Sequence, residues 1–241
     1  MRERLKKWLH ADTVILAVAA LLLVGFAVAE LYPKMDDATL PGPLPERCLL
    51  LVLICLISYL GGWLYRQRTG DRRLIGWLLV AYFILYVYLL LSLTLMDETL
   101  RLDPSRLESV GLTKREYYMK WYVNFRPFGS IRLYLSGFRN GRINLGYVIL
   151  NLAGNLCAFM PMAFFLPRLW RAQRRWYCFL PTVTLMVAAV EGTQLLLMVG
   201  SCDVDDVILN AGGAFLLFWI LKIPPLSRLC DAVWSGDIGG R

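Results

Sequence analysis

The residues best suited to chemistry stand close together near the C-terminus, where "GSCDVDDVILN" sets Asp203, Asp205, Asp206 and Asn210 at the mouth of an apolar run. On a helix beginning near Asp203, the residues Asp203, Asp206, Asn210 and Gly213 form one stripe and Asp205 points elsewhere. Aspartates at a helix start cap free amides and complement the helix dipole, worth about 0.3–1 kcal/mol each. One carboxylate would do that work. Three in four positions repel one another, so the cluster calls for a cation, a raised pKa, or an arginine such as Arg126 or Arg132. Asp205 is then the expected helix cap, with Asp203 and Asp206 left for a site.

Two further polar sets interrupt apolar stretches. Glu191 and Gln194 are three apart and share a helix face. An ionised glutamate at mid-membrane costs about 2.5–3.5 kcal/mol on insertion scales, which a partner or a water-filled cavity must offset. Asn151 and Asn155 are four apart, with Gly154 between them to admit a neighbouring backbone. Two asparagines can equally serve as glue between helices. Placed level with one another, Asn151, Asn155, Glu191, Gln194, Asp203, Asp206 and Asn210 would line a polar pocket, covered by a segment containing Asn124, Arg126, Pro127 and Phe128.

The elements that would position them are apolar helices. Of 241 residues 58% are hydrophobic and 18% charged, with mean hydropathy +0.53, against roughly 45–50% apolar content in soluble domains. Runs long enough to cross a membrane occur around Thr13–Leu31, Cys48–Tyr65, Leu74–Leu95, Leu145–Leu166, Tyr177–Val199 and Val207–Ile223. An all-α polytopic integral membrane protein with about six transmembrane helices is expected. The first run carries the charge layout of a signal peptide but no small-residue cleavage site before Pro33, and is read as a retained span. A net charge of +8 is distributed at the ends of apolar runs and not on one soluble face, which excludes a nucleic-acid surface. The six cysteines are scattered singly, without metal or disulfide spacing, and read as small core residues.

The loops "RQRTGDRR" and "RLWRAQRR" are basic, whereas "YPKMDDATLPGPLPE" and "SCDVDD" are acidic, so both termini are expected inside. The 96–143 segment then lies outside despite nine Arg and Lys against five acids, because long loops translocate largely regardless of charge. Ser105-x-x-Glu108 and Thr113-x-x-Glu116 there read as capping boxes that open short helices. Tyr117 with Trp121, and Tyr118 with Tyr122, suit an aromatic belt at the headgroup level. "NFRPFGSIRLYLSGFRNGRIN" reads as a surface loop or a re-entrant piece.

From "YLLLSLTL" at 88–95, through "NFRPFGSI" at 124–131, "NLAGNLCAFMPMAFFLP" at 151–167 and "EGTQ" at 191–194, to "GSCDVDDVILNAGG" at 200–213, the chain resembles the VanZ-like family of bacterial membrane proteins. It departs from that pattern at Met162-Ala163 and in lacking an arginine just before Ser201. The family takes its name from a protein associated with resistance to teicoplanin, a lipid-bearing glycopeptide, and no established reaction accompanies it. The resemblance implies a multi-pass protein of the bacterial cytoplasmic membrane with an envelope role.

Residues 1–73 would hold two helices outside the resemblance, 74–223 the VanZ-like membrane domain and 224–241 a cytoplasmic tail. The leading expectation is a protein whose pocket binds or screens an anionic lipid-linked cell-wall precursor or a glycopeptide. Arg126, Arg132, Arg139 and Arg142 would then face anionic headgroups. No cofactor is expected in that case. The alternative is a membrane enzyme on a polyprenyl- or phospholipid, with Mg²⁺ or Ca²⁺ held by Asp203, Asp205 and Asp206. Against catalysis, the only histidine is His10, and no Ser/His/Asp set, phosphate loop or HExxH motif occurs.

Overall fold

The computed structural model describes residues 11–31, 44–96 and 110–234, and it is almost wholly helical. The chain divides into two compact units, one of residues 1–82 with 231–241 and one of residues 83–230.

In the first unit, α1 (Ala11–Leu31) packs on α2 (Leu44–Thr69), and α3 (Arg73–Leu91) contributes its residues up to Tyr82. Gly61 makes the α1–α2 contact close, since a Cβ there would stand 2.9 Å from the Leu16 side chain. Arg68 at the end of α2 donates twice to Asp12 at the start of α1, at 3.0 and 2.8 Å. A buried carboxylate is thus neutralised where the two helix ends meet. Tyr82 reaches α2, donating to the Cys55 carbonyl at 2.8 Å and lying 2.6 Å from the Ser58 hydroxyl.

The second unit holds the rest of α3, a π-helical turn (Ser92–Met96), α4 (Lys114–Trp121), β1 (Val123–Asn124), α5 (Gly129–Arg139), α6 (Leu145–Ala158), α7 (Met162–Leu169), α8 (Trp176–Leu197), β2 (Cys202–Asp203), α9 (Val204–Ile220) and the start of α10 (Pro224–Val233). Its core joins Leu90, Met162, Leu166, Phe179, Val183, Val187 and Phe218, with Phe179 and Phe218 stacked 4.5 Å apart. The chain breaks between α6 and α7 at Phe159–Pro161, where Pro161 has no amide to continue the ladder. The Tyr86 hydroxyl donates to the Ala158 carbonyl that the break exposes.

Four helices among the described residues are long and apolar enough to cross a membrane: 49–69, 73–95, 145–169 and 176–197. A fifth arises if α9 and the helix after it form one span bent by 88°. Of the about six expected, four to five are thus shown among the described residues. The last expected run, 207–223, is the bent pair, which Pro224 and Pro225 redirect because they fit a helix start better than its interior. The first expected run forms α1, a helix of 21 residues whose residues 11–27 are apolar.

Two contacts depart from what spacing suggested. Gly154 has nothing within 4 Å of a built Cβ, whereas a Cβ on Gly213 would lie 1.8 Å from the Leu156 carbonyl oxygen. The close crossing of α6 and α9 is made by Gly213. In α4 the Thr113 box forms as read, with Thr113 accepting from the Glu116 amide at 3.3 Å and Glu116 accepting from the Thr113 amide at 3.0 Å. The Ser105 box lies outside the described residues. Trp121 is 63% exposed, as a belt residue would be, but Tyr118 is turned inward and only 1% exposed. Its hydroxyl donates to the carbonyls of Gln194 and Val199, at 3.2 and 3.3 Å, where α8 ends and needs partners.

Candidate functional site

The carboxylates meet where the end of α8, the start of α9, the middle of α6 and the start of α5 converge. A two-residue parallel bridge holds them there, pairing Val123 with Cys202 and Asn124 with Asp203. The Cys202 amide adds a bond to the Tyr122 carbonyl at 2.9 Å.

Asp203 is the residue that caps α9. Its Oδ1 accepts from the Asp205 amide at 2.8 Å and from the Asn124 side-chain amide at 2.9 Å. Its own backbone amide donates to Glu191 Oε2 at 2.9 Å. The Asn124 side chain also reaches Ser130 Oγ at 3.0 Å, and its Oδ1 accepts from the Arg126 amide at 2.9 Å.

Asp205 was expected to cap α9, and it caps a different helix. Its carboxylate accepts the backbone amides of Phe128, Ser130 at 2.8 Å and Ile131 at 3.1 Å, closing the start of α5. Phe128 adopts a left-handed backbone, φ 61°, that turns these amides to one side. The result is a backbone nest for an anion at a helix N-terminus, with a side chain of the same protein as the anion. Asp205 is 1% exposed.

Asp206 accepts from the Asn155 side-chain amide of α6. One turn on, Asn210 donates to the Asp206 carbonyl at 2.7 Å, while its Oδ1 is buried without a hydrogen bond. Glu191, Asp203, Asp206, Asn155 and Asn210 are thus brought together as the helical offsets implied. Asn151 instead bonds its own helix at the Tyr147 carbonyl, 2.8 Å away. Gln194 turns toward the π-helical turn and donates to the Thr94 carbonyl at 3.0 Å, leaving a buried Oε1 unbonded. Pro127 and Arg126 are exposed on the loop before α5.

No arginine or lysine makes an ion pair with Glu191, Asp203, Asp205 or Asp206 among the described residues. The expected neutralisation by Arg126 or Arg132 gives way to amide donors, because the start of α5 presents its backbone to the carboxylates and both arginines face outward. Among the described residues no three His, Cys, Asp or Glu side chains are grouped to hold a metal ion. Asp203, Asp205 and Asp206 are directed at three separate donors.

Neighbouring groups outside the spans register the negative charge. Burial first, then the Glu191, Asp203 and Asp206 carboxylates, push the Cys202 thiol up to about 11. Burial, Tyr147, Asp206 and Asp203 raise the Tyr134 hydroxyl on α5 to about 12. Tyr134, Ser130 and Cys202 were not foreseen as neighbours of the cluster, nor Thr94 as the partner of Gln194. A repeat at helical spacing could have placed Tyr134 on the inner face of α5, whereas no sequence signal marks the Thr94 carbonyl.

Residues 83–225 match the VanZ/LLP1 family model. No curated protein and no solved structure matches the chain. The matched stretch contains every residue of the convergence just described, together with two helices, 145–169 and 176–197, that are long and apolar enough to cross a membrane. The chain belongs to the VanZ/LLP1 family and is a multi-pass membrane protein.

Proposed function

We propose that this protein acts in the envelope of a bacterial cytoplasmic membrane, with both termini inside and the carboxylate cluster facing outward. There it binds or screens a lipid-linked cell-wall ligand or a glycopeptide and so confers teicoplanin-type resistance. The observation that carries the reading is the burial of Glu191, Asp203 and Asn210 among apolar helices. Polar groups buried at such positions mark sites. The outward-facing Arg126, Arg132, Arg139 and Arg142 fit anionic headgroups at the rim.

The test is teicoplanin and vancomycin susceptibility of a sensitive Gram-positive host expressing wild type, Asp206→Asn or Glu191→Gln at matched membrane levels. Selective teicoplanin resistance that both variants lose is the expected result. No change with wild type would reject the resistance role, and full resistance in both variants would separate it from the cluster.

A further inference from the structure

The second unit separates its charges from end to end. Between Leu145 and Cys230 the acidic residues are Glu191, Asp203, Asp205 and Asp206, all on α8 and α9 near the turn that joins them. The basic residues of the same stretch are Arg168, Arg171, Arg174, Arg175, Lys222 and Arg228, which stand where α7 gives way to α8 or beyond the end of α9. The two sets lie at opposite ends of α8.

Contacts between elements draw the cations into one patch. A 3₁₀ turn (Arg171–Arg174) joins α7 to α8, and Arg174 Nε reaches back from it to the Pro167 carbonyl of α7 at 3.1 Å. Lys222 arrives from α9, 48 positions later, and its Nζ donates to the Arg174 carbonyl at 3.2 Å. The same ammonium lies over the rings of Phe218 and Trp219, 4.1 and 4.8 Å from their centroids, while the Arg175 guanidinium lies 5.9 Å from the Tyr177 centroid. All of these partners are neutral.

Arg171, Arg174, Arg175, Lys222 and Arg228 make no ion pair among the described residues. Both Nη atoms of Arg174 and the whole guanidinium of Arg171 lack a protein acceptor there. The start of α8 adds partial positive charge of its own, with no acidic residue in its first turn. Like charges gathered without a counter-charge repel one another, so the patch calls for an anion from outside the protein.

The surroundings decide which anion. Trp170, Trp176, Tyr177 and Trp219 stand half-exposed beside the cations, and α8 runs from this end through an apolar length sufficient to cross a membrane. Indole and phenol rings at the end of a spanning helix sit at the headgroup level. The anion met at that level is the lipid phosphodiester, which accepts from guanidinium and ammonium donors alike. A soluble acidic partner gives the aromatic collar no role.

We infer that the turn between α7 and α8, together with Lys222, forms a binding surface for the headgroup of an anionic phospholipid. Arg171, Arg174 and Lys222 take the phosphate, and the rings of Trp176 and Trp219 flank the upper acyl chains. The inference goes beyond the proposed function and depends on neither the resistance role nor the orientation given there.

The test follows thermal unfolding of the purified full chain in detergent against phosphatidylglycerol, phosphatidylcholine, inorganic phosphate and polyglutamate. Stabilisation by phosphatidylglycerol, with little from the other three at matched concentration, is expected. Each cation beside an anionic headgroup contributes about fivefold in affinity, so Arg171→Gln with Arg174→Gln should weaken phosphatidylglycerol binding about 25-fold. Arg171→Gln alone breaks no contact among the described residues and should weaken it about fivefold, which serves if the double variant does not fold. Lys114→Gln with Arg115→Gln removes the same charge from α4, beside the opposite end of α8, and should leave the affinity unchanged.

Equal stabilisation by phosphatidylcholine would overturn the inference, because general lipid solvation would then explain the effect. Inorganic phosphate as effective as the lipid would assign the patch to a soluble anion, and polyglutamate as effective would assign it to an acidic protein, each against the inference. Equal weakening by the α4 variant would reduce the effect to net charge, and unchanged affinity in both arginine variants would place the lipid elsewhere.

Discussion

The Asp205 carboxylate accepts the Ser130 backbone amide at 2.8 Å, across 75 positions of sequence. With the amides of Phe128 and Ile131 it makes a three-donor clasp on the start of α5. Replacing Asp205 with alanine leaves three inward-facing amides without their acceptor, and a loss of about 3 kcal/mol is expected. Asp205→Asn keeps one oxygen and should lose less. Chemical denaturation in detergent checks the order, and hydrogen exchange should rise first at residues 128–133.

Gly213 and Gly154 make opposite predictions. A methyl on Gly213 would meet the Leu156 carbonyl oxygen at 1.8 Å, a backbone atom that cannot swing aside. Gly213→Ala should cost about 1–3 kcal/mol or prevent folding, as overpacking does. Gly154→Ala meets nothing within 4 Å and should leave the melting temperature unchanged or raised. Equal effects from the two would contradict the crossing of α6 and α9 at Gly213.

Tyr118 links pH to stability. Burial first, then Cys202 and Glu191, raise its hydroxyl to about 12. Cys202 is raised to about 11 and Tyr134 to about 12. Each folded value lies above the ordinary one, so the fold holds these protons more tightly than the unfolded chain does. Their contribution is complete below about pH 9 and is lost as pH rises through 11 to 12. Melting temperature should therefore fall across that window. Tyr118→Phe should reduce the unfolding free energy by about 1 kcal/mol near neutral pH, through the lost bonds to Gln194 and Val199, and should make the alkaline decline shallower.

Cys202 should resist alkylation. With its thiol raised to about 11, on the order of one in a thousand is thiolate at pH 8. Iodoacetamide followed by mass spectrometry should label Cys202 only after denaturation. Rapid labelling of the folded protein at pH 8 would contradict the burial and the neighbouring carboxylates.

Much of the fold was legible because apolar length and helical offset are local properties. The stripe shared by Asp203, Asp206 and Asn210 is legible because any helix must present it, whereas the partners across elements, Asn155 for Asp206 and Glu191 for the Asp203 amide, are set by packing. The Thr113 box was legible because its partners are three residues apart. Asp205 was misread for the opposite reason. Its partners are amides in a segment 74 to 77 positions away, and backbone donors carry no side-chain signature. Gly213 rather than Gly154 marks the helix crossing because a glycine's worth depends on what lies opposite, which spacing on one helix does not encode. Tyr118 has the composition of a belt residue, and its inward turn answers to the unpaired carbonyls at the end of α8.

The clasp on α5 also dictates an order of assembly. Phe128, Ser130 and Ile131 emerge during synthesis some 74 to 77 residues before the carboxylate that holds them. Residues 123–139 must wait, with β1 unbridged and the amides of α5 in water, until α6 to α8 are in place and β2 follows. A chain halted after α8 would carry every helix that flanks the cluster except α9 and still lack it, so the site is completed in the last step of threading the protein into its membrane.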